Sequence, residues 1–291
     1  MKTLKQLNEF LPVKKLGNGK NSKVWYGFLK GKNCVLKLAN NGRHSSQRIS
    51  SESLALRRVS PFQISPKLIL NGEINRKQFI VMEFLQAEPL SKKLKLKKIS
   101  PEIIKKTYRI LKILSDIKVD KGFGYLKSSQ EALFSGWGDF LETRYVHQKR
   151  ILKLVIKEPM FSLFDSYVKE WITFLKSNDV RIGSLMHGDI NGENILISNN
   201  GKEYLIDWEN VMSGDHLADL AIFCNRIGER KFNYFFQKEN LFESSRFCFY
   251  RIFFLSQDLA YNFKNKQPYG KYLLGLKKCF KNENKHSNSK L

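Results

Sequence analysis

The side chains best suited to catalysis fall between positions 185 and 207. Asp189 lies in a predicted loop, and Asn194 stands five residues further along the chain. Two short apolar runs come next, 195–197 and 204–206, with an Asn-Gly pair between them, and this pattern predicts a β-hairpin. Asp207 directly follows the second run. Because antiparallel pairing brings the two ends of a hairpin together, we expect Asn194 and Asp207 to lie side by side.

This set of oxygen-bearing side chains suits phosphoryl transfer. An amide oxygen beside a carboxylate offers the hard ligands that Mg²⁺ prefers, so Asn194 and Asp207 are predicted metal ligands. Asp189 is predicted to accept or orient the proton of an acceptor hydroxyl, as a catalytic carboxylate does in kinases. Taken singly, each residue has an ordinary alternative, since Asp and Asn are common in turns and Asp207 could cap a helix. The joint pattern favours catalysis.

A second group of residues, near the N-terminus, is suited to binding phosphates. Gly17 and Gly19 lie with Ser22 in a loop between two strand-like runs. Glycine there lets the backbone approach a phosphate and adopt a positive φ. Lys37 lies in an apolar strand and needs an anion, and Glu52 is expected to pair with it from the start of a helix. For the two glycines the alternative is a plain hairpin turn. For Lys37 it is an exposed strand lysine, and for Glu52 it is an acid favoured by the helix dipole.

The elements that must position these residues separate into two parts. Up to about position 90, strand-like runs alternate with turns, and from 101 onward apolar residues recur at helical spacing. The predicted strands are 13–16, 24–29, 34–38, 67–70 and 78–84, with a polar loop at 39–51, a short helix at 52–58 and a turn at 71–72. The predicted helices are 101–116, 140–155, 160–175 and a block over 217–274. We therefore predict a β-rich lobe over 1–88, a helical lobe over 89–280 and a disordered polar tail over 281–291.

Composition sets the broad class of the protein. The 291 residues are 42% hydrophobic and 13% aromatic, which excludes disorder for most of the chain. A formal net charge of +24 favours polyanions or phosphates as partners, although it does not determine any one site. Four scattered cysteines without a CxxC pair argue against a zinc site or a disulfide framework. With no signal peptide and no long apolar run, a cytoplasmic protein without a membrane span is expected.

The motif His187-Gly188-Asp189 with Asn194, followed by Asp207-Trp208-Glu209, resembles the aminoglycoside phosphotransferase and choline kinase-like family. These are small-molecule kinases, so the resemblance implies an α+β, protein-kinase-like two-lobe fold with a small antiparallel β lobe and a larger, mainly helical lobe. It also implies that Asp189 is the catalytic base, that Asn194 and Asp207 hold Mg²⁺, and that Lys37 contacts phosphate.

The same resemblance extends to the segment 80–85, which is similar to the hinge between the lobes. It implies that the backbone at Glu83 and Leu85 meets the adenine ring, although a plain buried strand fits these residues equally well. Ser22 stands where protein kinases often have a third glycine in the ATP-binding loop. Asp219 matches a position that is usually structural, and His187 is expected to brace its loop.

We therefore predict an ATP- and Mg²⁺-dependent phosphotransferase that moves the γ-phosphate to a hydroxyl of a small molecule. A protein Ser/Thr kinase is the first alternative, disfavoured because no Ala-Pro-Glu segment follows Asp207. A nucleotide- or polyanion-binding module without activity is the second, and the net charge supports it. Nucleic acid is not the favoured partner. The P-loop class is disfavoured because there is no Walker A sequence. The same net charge makes a polycationic acceptor less expected.

Overall fold

The computed structural model describes residues 7, 9–95, 101–127, 131–178, 182–236, 241 and 244–288. Its strands, β1 to β13 in chain order, are Phe10–Asn18, Ser22–Leu29, Lys32–Ala39, Leu68–Ile74, Lys77–Glu83, Ala87–Pro89, Lys118–Val119, Phe123–Leu126, Ala132–Phe134, Gly183–Met186, Ile195–Ser198, Glu203–Leu205 and Met212–Gly214. Its helices, α1 to α9, are Arg43–Val59, Leu90–Lys95, Pro101–Asp116, Trp137–Val155, Met160–Ser177, Leu217–Ile227, Glu229–Phe236, Ser245–Lys264 and Gly270–Asn288.

The chain packs into two compact units, each built from separate stretches of sequence. The first unit comprises 1–113, 125–130 and 192–211, and the second comprises 114–124, 131–191 and 212–291. The hairpin that carries Asn194 and Asp207 therefore belongs to the first unit, whereas Asp189 belongs to the second. The predicted division at 88–89 stays a prediction. None of the helices in the described parts of the chain is long and apolar enough to cross a membrane.

The first unit is organised around an antiparallel sheet with strand order β1-β2-β3-β5-β4. Alternate side chains along its strands build a core of five buried residues, Phe10, Leu29, Cys34, Phe79 and Val81. In the register of β3, Lys37 pairs with Val24 on one side and Ile80 on the other. All five predicted strands of this region are present.

The predicted hairpin is also present in the first unit. Strands β11 and β12 pair antiparallel from Ile195 opposite Leu205 to Ile197 opposite Glu203. Gly201 in the turn has a φ of 76°, a conformation that glycine adopts without steric cost. Strand β6 pairs with the other edge of β11 and completes a three-stranded sheet.

The second unit is mainly helical. Helices α4, α5, α6, α8 and α9 pack around aromatic side chains, and Trp137, Phe164, Phe223, Phe249 and Tyr250 are among the largest fully buried ones. The Trp137 indole donates a hydrogen bond to Tyr250 Oη at 2.9 Å. Strand β10 belongs to a sheet with strand order β7-β10-β13-β8-β9, and the loop that contains Asp189 follows this strand.

Two local predictions are corrected by the structure. The polar loop predicted at 39–51 is wrong, because α1 begins at Arg43 and its polar first turns fold as a helix. The turn predicted at 71–72 is also wrong, since β4 continues through it and the chain reverses at Asn75 and Arg76, both with positive φ. Helix α9 continues to Asn288, past the start of the predicted disordered tail at 281. Residues 289–291 of that tail lie outside the described residues.

Candidate active site

Lys37 is the centre of a buried ionic cluster in the first unit. Its Nζ lies 2.6 Å from Glu52 Oε2, 2.8 Å from Asp207 Oδ1 and 3.0 Å from Glu209 Oε1. Oxygens of the three carboxylates lie within 4.8 Å of one another around it. Burial lowers the pKa of Lys37, but the three carboxylates outweigh burial and raise that pKa above its ordinary range. Lys37 is therefore held as a cation.

The predicted pairing of Lys37 with Glu52 is confirmed, but Glu52 does not open a helix. It lies in the middle of α1, one of the most buried residues of the chain, so the alternative of an acid favoured by a helix N-terminus is wrong. The alternative of an exposed lysine is wrong as well, since Lys37 is only 6% exposed. Glu52 Oε1 has no hydrogen-bond partner in the part of the chain that the structure describes.

We expect Lys37→Met to lower the free energy of unfolding by about 3–5 kcal/mol, because it leaves the Glu52 carboxylate buried without its cation. Adding Glu52→Gln to this variant is expected to recover most of the loss. Urea unfolding of both variants measures this. Lys92→Met, which breaks an exposed pair with Glu88, is the control and is expected to cost at most about 1 kcal/mol. A double variant as unstable as Lys37→Met would show that the Glu52 charge is not the cause.

Glu209 also belongs to this cluster, although it is not among the predicted site residues. Besides Lys37, it accepts hydrogen bonds from Asn21 Nδ2 at 2.8 Å and from Ser22 Oγ at 3.0 Å. One carboxylate thus holds both the lysine and the loop between β1 and β2. The sequence feature that could have indicated this role is the position of Glu209, an acidic residue two positions after Asp207.

The loop itself departs from one expectation. Neither Gly17 nor Gly19 has a positive φ, so that part of the prediction is wrong. A side chain at Gly17 would meet nothing within 4 Å, and the Gly19 N–H donates to Ser22 O at 2.9 Å in a tight turn. The loop therefore leaves open space at Gly17, which is the requirement for close approach of a ligand to the backbone.

A cavity of about 510 Å³ lies beside Lys37, wholly within the first unit. Four predicted nucleotide-binding residues besides Lys37 line it: Gly17, Glu52, Glu83 and Leu85. Gly19 and Ser22 are not among its lining residues. Its remaining walls are mainly apolar, with Val24, Val35, Met82, Leu196 and Ile206 among them. An apolar slot that ends at a buried cation suits a flat ring attached to an anionic group.

At the open end of the hairpin, the backbone of Asn194 lies opposite Ile206, and Asp207 is the next residue in the chain. The Ile206 N–H donates to Asn194 O at 3.0 Å, which continues the ladder of β11 and β12 by one step. Asn194 is buried, whereas the Asp207 side chain is 45% exposed. Asp207 has a φ of 64° and a ψ of 60°, a left-handed conformation that is uncommon outside glycine, although Asp and Asn tolerate it. Their side chains fit an oxygen-ligated cation, and that role stays a prediction.

Asp189 lies in the loop after β10, within the second unit. Its backbone N–H donates to His187 Nδ1 at 3.3 Å, so His187 braces the loop as expected. Asn191 Nδ2 donates to Asp189 Oδ1 at 3.1 Å, and Arg226 Nη2 lies 3.9 Å from the same oxygen. Buried Asp219 accepts from the backbone N–H groups of His187 at 2.6 Å and Gly188 at 2.9 Å. Asp219 thus holds the loop rather than acting in it.

Burial raises the pKa of Asp219 to about 7, although the two backbone N–H groups work against it. Since the ordinary value is 3.8, the folded chain keeps a proton between about pH 4 and pH 7 that the unfolded chain has released. The contribution of Asp219 to the free energy of unfolding should therefore fall as the pH rises through this window. We expect Asp219→Asn to remove that fall, which urea unfolding at pH values across the window measures. Parallel pH profiles for the two proteins would contradict it.

A family model matches most of the chain. The model of the phosphotransferase enzyme family matches residues 13–239. No curated protein matches the chain.

Solved structures are similar over nearly the whole chain. The apo form of a thermostable aminoglycoside phosphotransferase APH(4)-Ia mutant is 15% identical with a TM-score of 0.72, covering 97% of both chains. A related variant in ternary complex with AMP-PNP and hygromycin B is 17% identical with a TM-score of 0.71, covering 97% of this chain and 96% of that one. Choline kinase LicA from Streptococcus pneumoniae is 19% identical with a TM-score of 0.62, covering 98% and 97%. These likenesses confirm the predicted fold class.

Proposed function

We propose, since the chain belongs to the phosphotransferase enzyme family, that it transfers the γ-phosphoryl group of ATP to a hydroxyl of a small molecule. The observation that carries this proposal is the Lys37 cluster at one wall of the first unit's cavity. Lys37 is the cation of this cluster, and the hairpin that ends in Asp207 supplies one of its three carboxylates. The predicted ATP-binding residues Gly17, Glu83 and Leu85 line the same cavity.

The cavity supports a nucleotide in a defined orientation. The Glu83 N–H already donates to Lys67 O at 2.9 Å. We therefore assign the Glu83 carbonyl and the Leu85 N–H to the donor and acceptor edge of adenine, and the apolar walls to its faces. Lys37 at the other wall is assigned to the phosphates, and the open space at Gly17 lets the backbone approach them.

Asn194 and Asp207 are the residues assigned to Mg²⁺. Both offer oxygen atoms, and Asp207 is partly exposed, which suits a cation that keeps part of its water shell. When bound, Mg²⁺ neutralises charge on the β- and γ-phosphates. Lys37 keeps Glu52 and Glu209 as partners if Asp207 turns toward the metal.

Asp189 is assigned to the acceptor. Its carboxylate takes the proton of the hydroxyl while the acceptor oxygen forms a bond to the γ-phosphorus and the bond to the β-phosphate oxygen breaks. ADP leaves with that bridging oxygen, and the phosphorylated acceptor leaves without its hydroxyl proton. His187 and Asp219 hold the loop that presents Asp189.

An acceptor screen tests this function. Sugars, amino alcohols, nucleosides, aminoglycosides and hydroxy acids are each incubated with the protein, ATP and Mg²⁺, and ADP is measured. We expect release that depends on one of these classes and disappears in Asp189→Asn. Release only with protein substrates such as casein would favour a protein kinase. Nucleic-acid binding with no ADP release under any acceptor would favour a polyanion-binding module.

A further inference from the structure

A second cavity, of about 320 Å³, lies wholly within the second unit. It is lined by the end of α6, the turn at Gly228, and parts of α8 and α9. Gly228 has a φ of 90°, which other residues rarely adopt, and this turn brings Arg226 and Glu229 to the same cavity. The cavity is large enough for a small organic molecule.

The charged groups along its walls are mostly positive. The charged lining residues are Arg226, Glu229, Arg251, Lys271 and Lys278, so four cations face one carboxylate. This balance is the reverse of what a polycationic acceptor needs.

The two arginines are already paired with carboxylates. Arg251 is buried and its Nη2 donates to Glu229 Oε2 at 2.9 Å. Arg226 Nη2 donates to Asp258 Oδ1 at 2.8 Å, and Arg226 Nη1 lies 3.4 Å from Tyr272 Oη. These pairs hold both guanidinium groups in place at the wall of the cavity.

The two lysines carry the excess charge. Lys278 Nζ lies 3.9 Å from Glu229 Oε2, an oxygen that already accepts from Arg251. Lys271 Nζ lies 4.8 Å from the centre of the Tyr272 ring, a weaker contact than an ion pair. In addition, Arg226 Nε is buried without a hydrogen-bond partner among the residues that the structure describes. A bound anion would offset this excess charge.

We propose that this cavity binds an anionic group, a phosphate or a carboxylate, on the acceptor that the enzyme phosphorylates. Arg226 connects the cavity to the reacting group, because it lines the cavity and its Nη2 lies 3.9 Å from Asp189 Oδ1. The identity of the ligand as acceptor rests on the proposed kinase function. Small hydroxy acids and sugar phosphates are the substrate classes that fit.

Anion binding tests the site without relying on turnover. Inorganic phosphate is titrated into the nucleotide-free protein by calorimetry, at low and high salt. We expect the double variant Lys271→Gln, Lys278→Gln to bind phosphate about tenfold more weakly, from roughly 0.7 kcal/mol per lost charge. Lys277→Gln removes an exposed lysine of the same helix that does not line the cavity, and it is expected to bind like the unaltered protein.

Matched acceptors then identify the group that is bound. Glycerol is compared with glycerate and glycerol 3-phosphate, and glucose with gluconate and glucose 6-phosphate. We expect the carboxylate or the phosphate member of each set to exceed the neutral one in kcat/KM by about tenfold, and the double variant to lose that preference. The anionic acceptor with the higher kcat/KM in each set, the carboxylate or the phosphate, shows which of the two groups the cavity binds.

The outcomes separate this inference from the proposed function. Phosphate binding that is insensitive to both lysines, or turnover that favours neutral or cationic acceptors, would overturn the anion site while leaving the kinase intact. Weakened phosphate binding in the double variant, with no acceptor turned over by any form, would support the anion site and count against the kinase.

Discussion

Asp189→Asn is expected to lower the turnover number for phosphoryl transfer by about 10²–10⁴-fold, because an amide cannot take the hydroxyl proton. The loop should keep its conformation, since its contacts from Asp219 and His187 are made by the backbone at 187–189. Affinity for ATP should stay unchanged, because the assigned nucleotide residues belong to the first unit. Initial rates of ADP formation at saturating ATP, together with equilibrium ATP binding, measure both quantities.

The control for this variant is Asp120→Asn, which makes the same chemical change at an exposed position of the second unit. It should leave turnover unchanged. If Asp189→Asn kept its turnover number, or lost ATP affinity and turnover together, Asp189 would not be the base. A loss of turnover with a shifted urea-unfolding midpoint would instead indicate that the substitution disturbs the loop.

Asp207→Asn is expected to remove the dependence of ATP binding on Mg²⁺ and to lower turnover by about 10²–10³-fold, the usual effect of losing one charge-stabilising group. The substitution tests the ligand and not the backbone, because Asn tolerates the left-handed conformation at φ 64° as Asp does. Lys37 keeps Glu52 and Glu209, so the ionic cluster should survive. ATP titrations with and without Mg²⁺ measure the effect.

Asp207→Ala gives a useful comparison. Alanine is poorly suited to the left-handed conformation, so this variant should lose stability as well as metal dependence, whereas Asp207→Asn should keep the urea-unfolding midpoint of the unaltered protein. ATP binding by Asp207→Asn that still tightens with Mg²⁺ would show that the metal is held by other residues.

Local patterns explain which parts of the fold could be predicted. The hairpin was predictable because two apolar runs and an Asn-Gly pair determine a turn and a register within a dozen residues. That register then places Asn194 opposite Ile206 without any long-range information. The pairing of Lys37 with Glu52 was also predictable, since a lysine in an apolar strand requires a nearby acid.

The remaining errors have a physical origin in tertiary contacts. Glu209 holds Ser22, a residue 187 positions away in sequence, and no local pattern reports such a contact. The polar start of α1 shows no helical period, yet Arg48 in it donates to Glu209 O and Asn210 Oδ1 and lies over the Tyr125 ring. Tertiary contacts of this kind outweigh the weak local preference of a polar segment.

Transfer of labelled phosphate tests the central claim most directly. The protein is incubated with Mg²⁺, ATP labelled in its γ-phosphoryl group and an acceptor from the screen, and the label is followed by mass spectrometry. We expect the label to appear in the acceptor in equal amount to the ADP formed, and neither to form with Asp189→Asn. Label found only in free phosphate, or ADP formed equally without an acceptor, would contradict a phosphotransferase acting on a small-molecule hydroxyl.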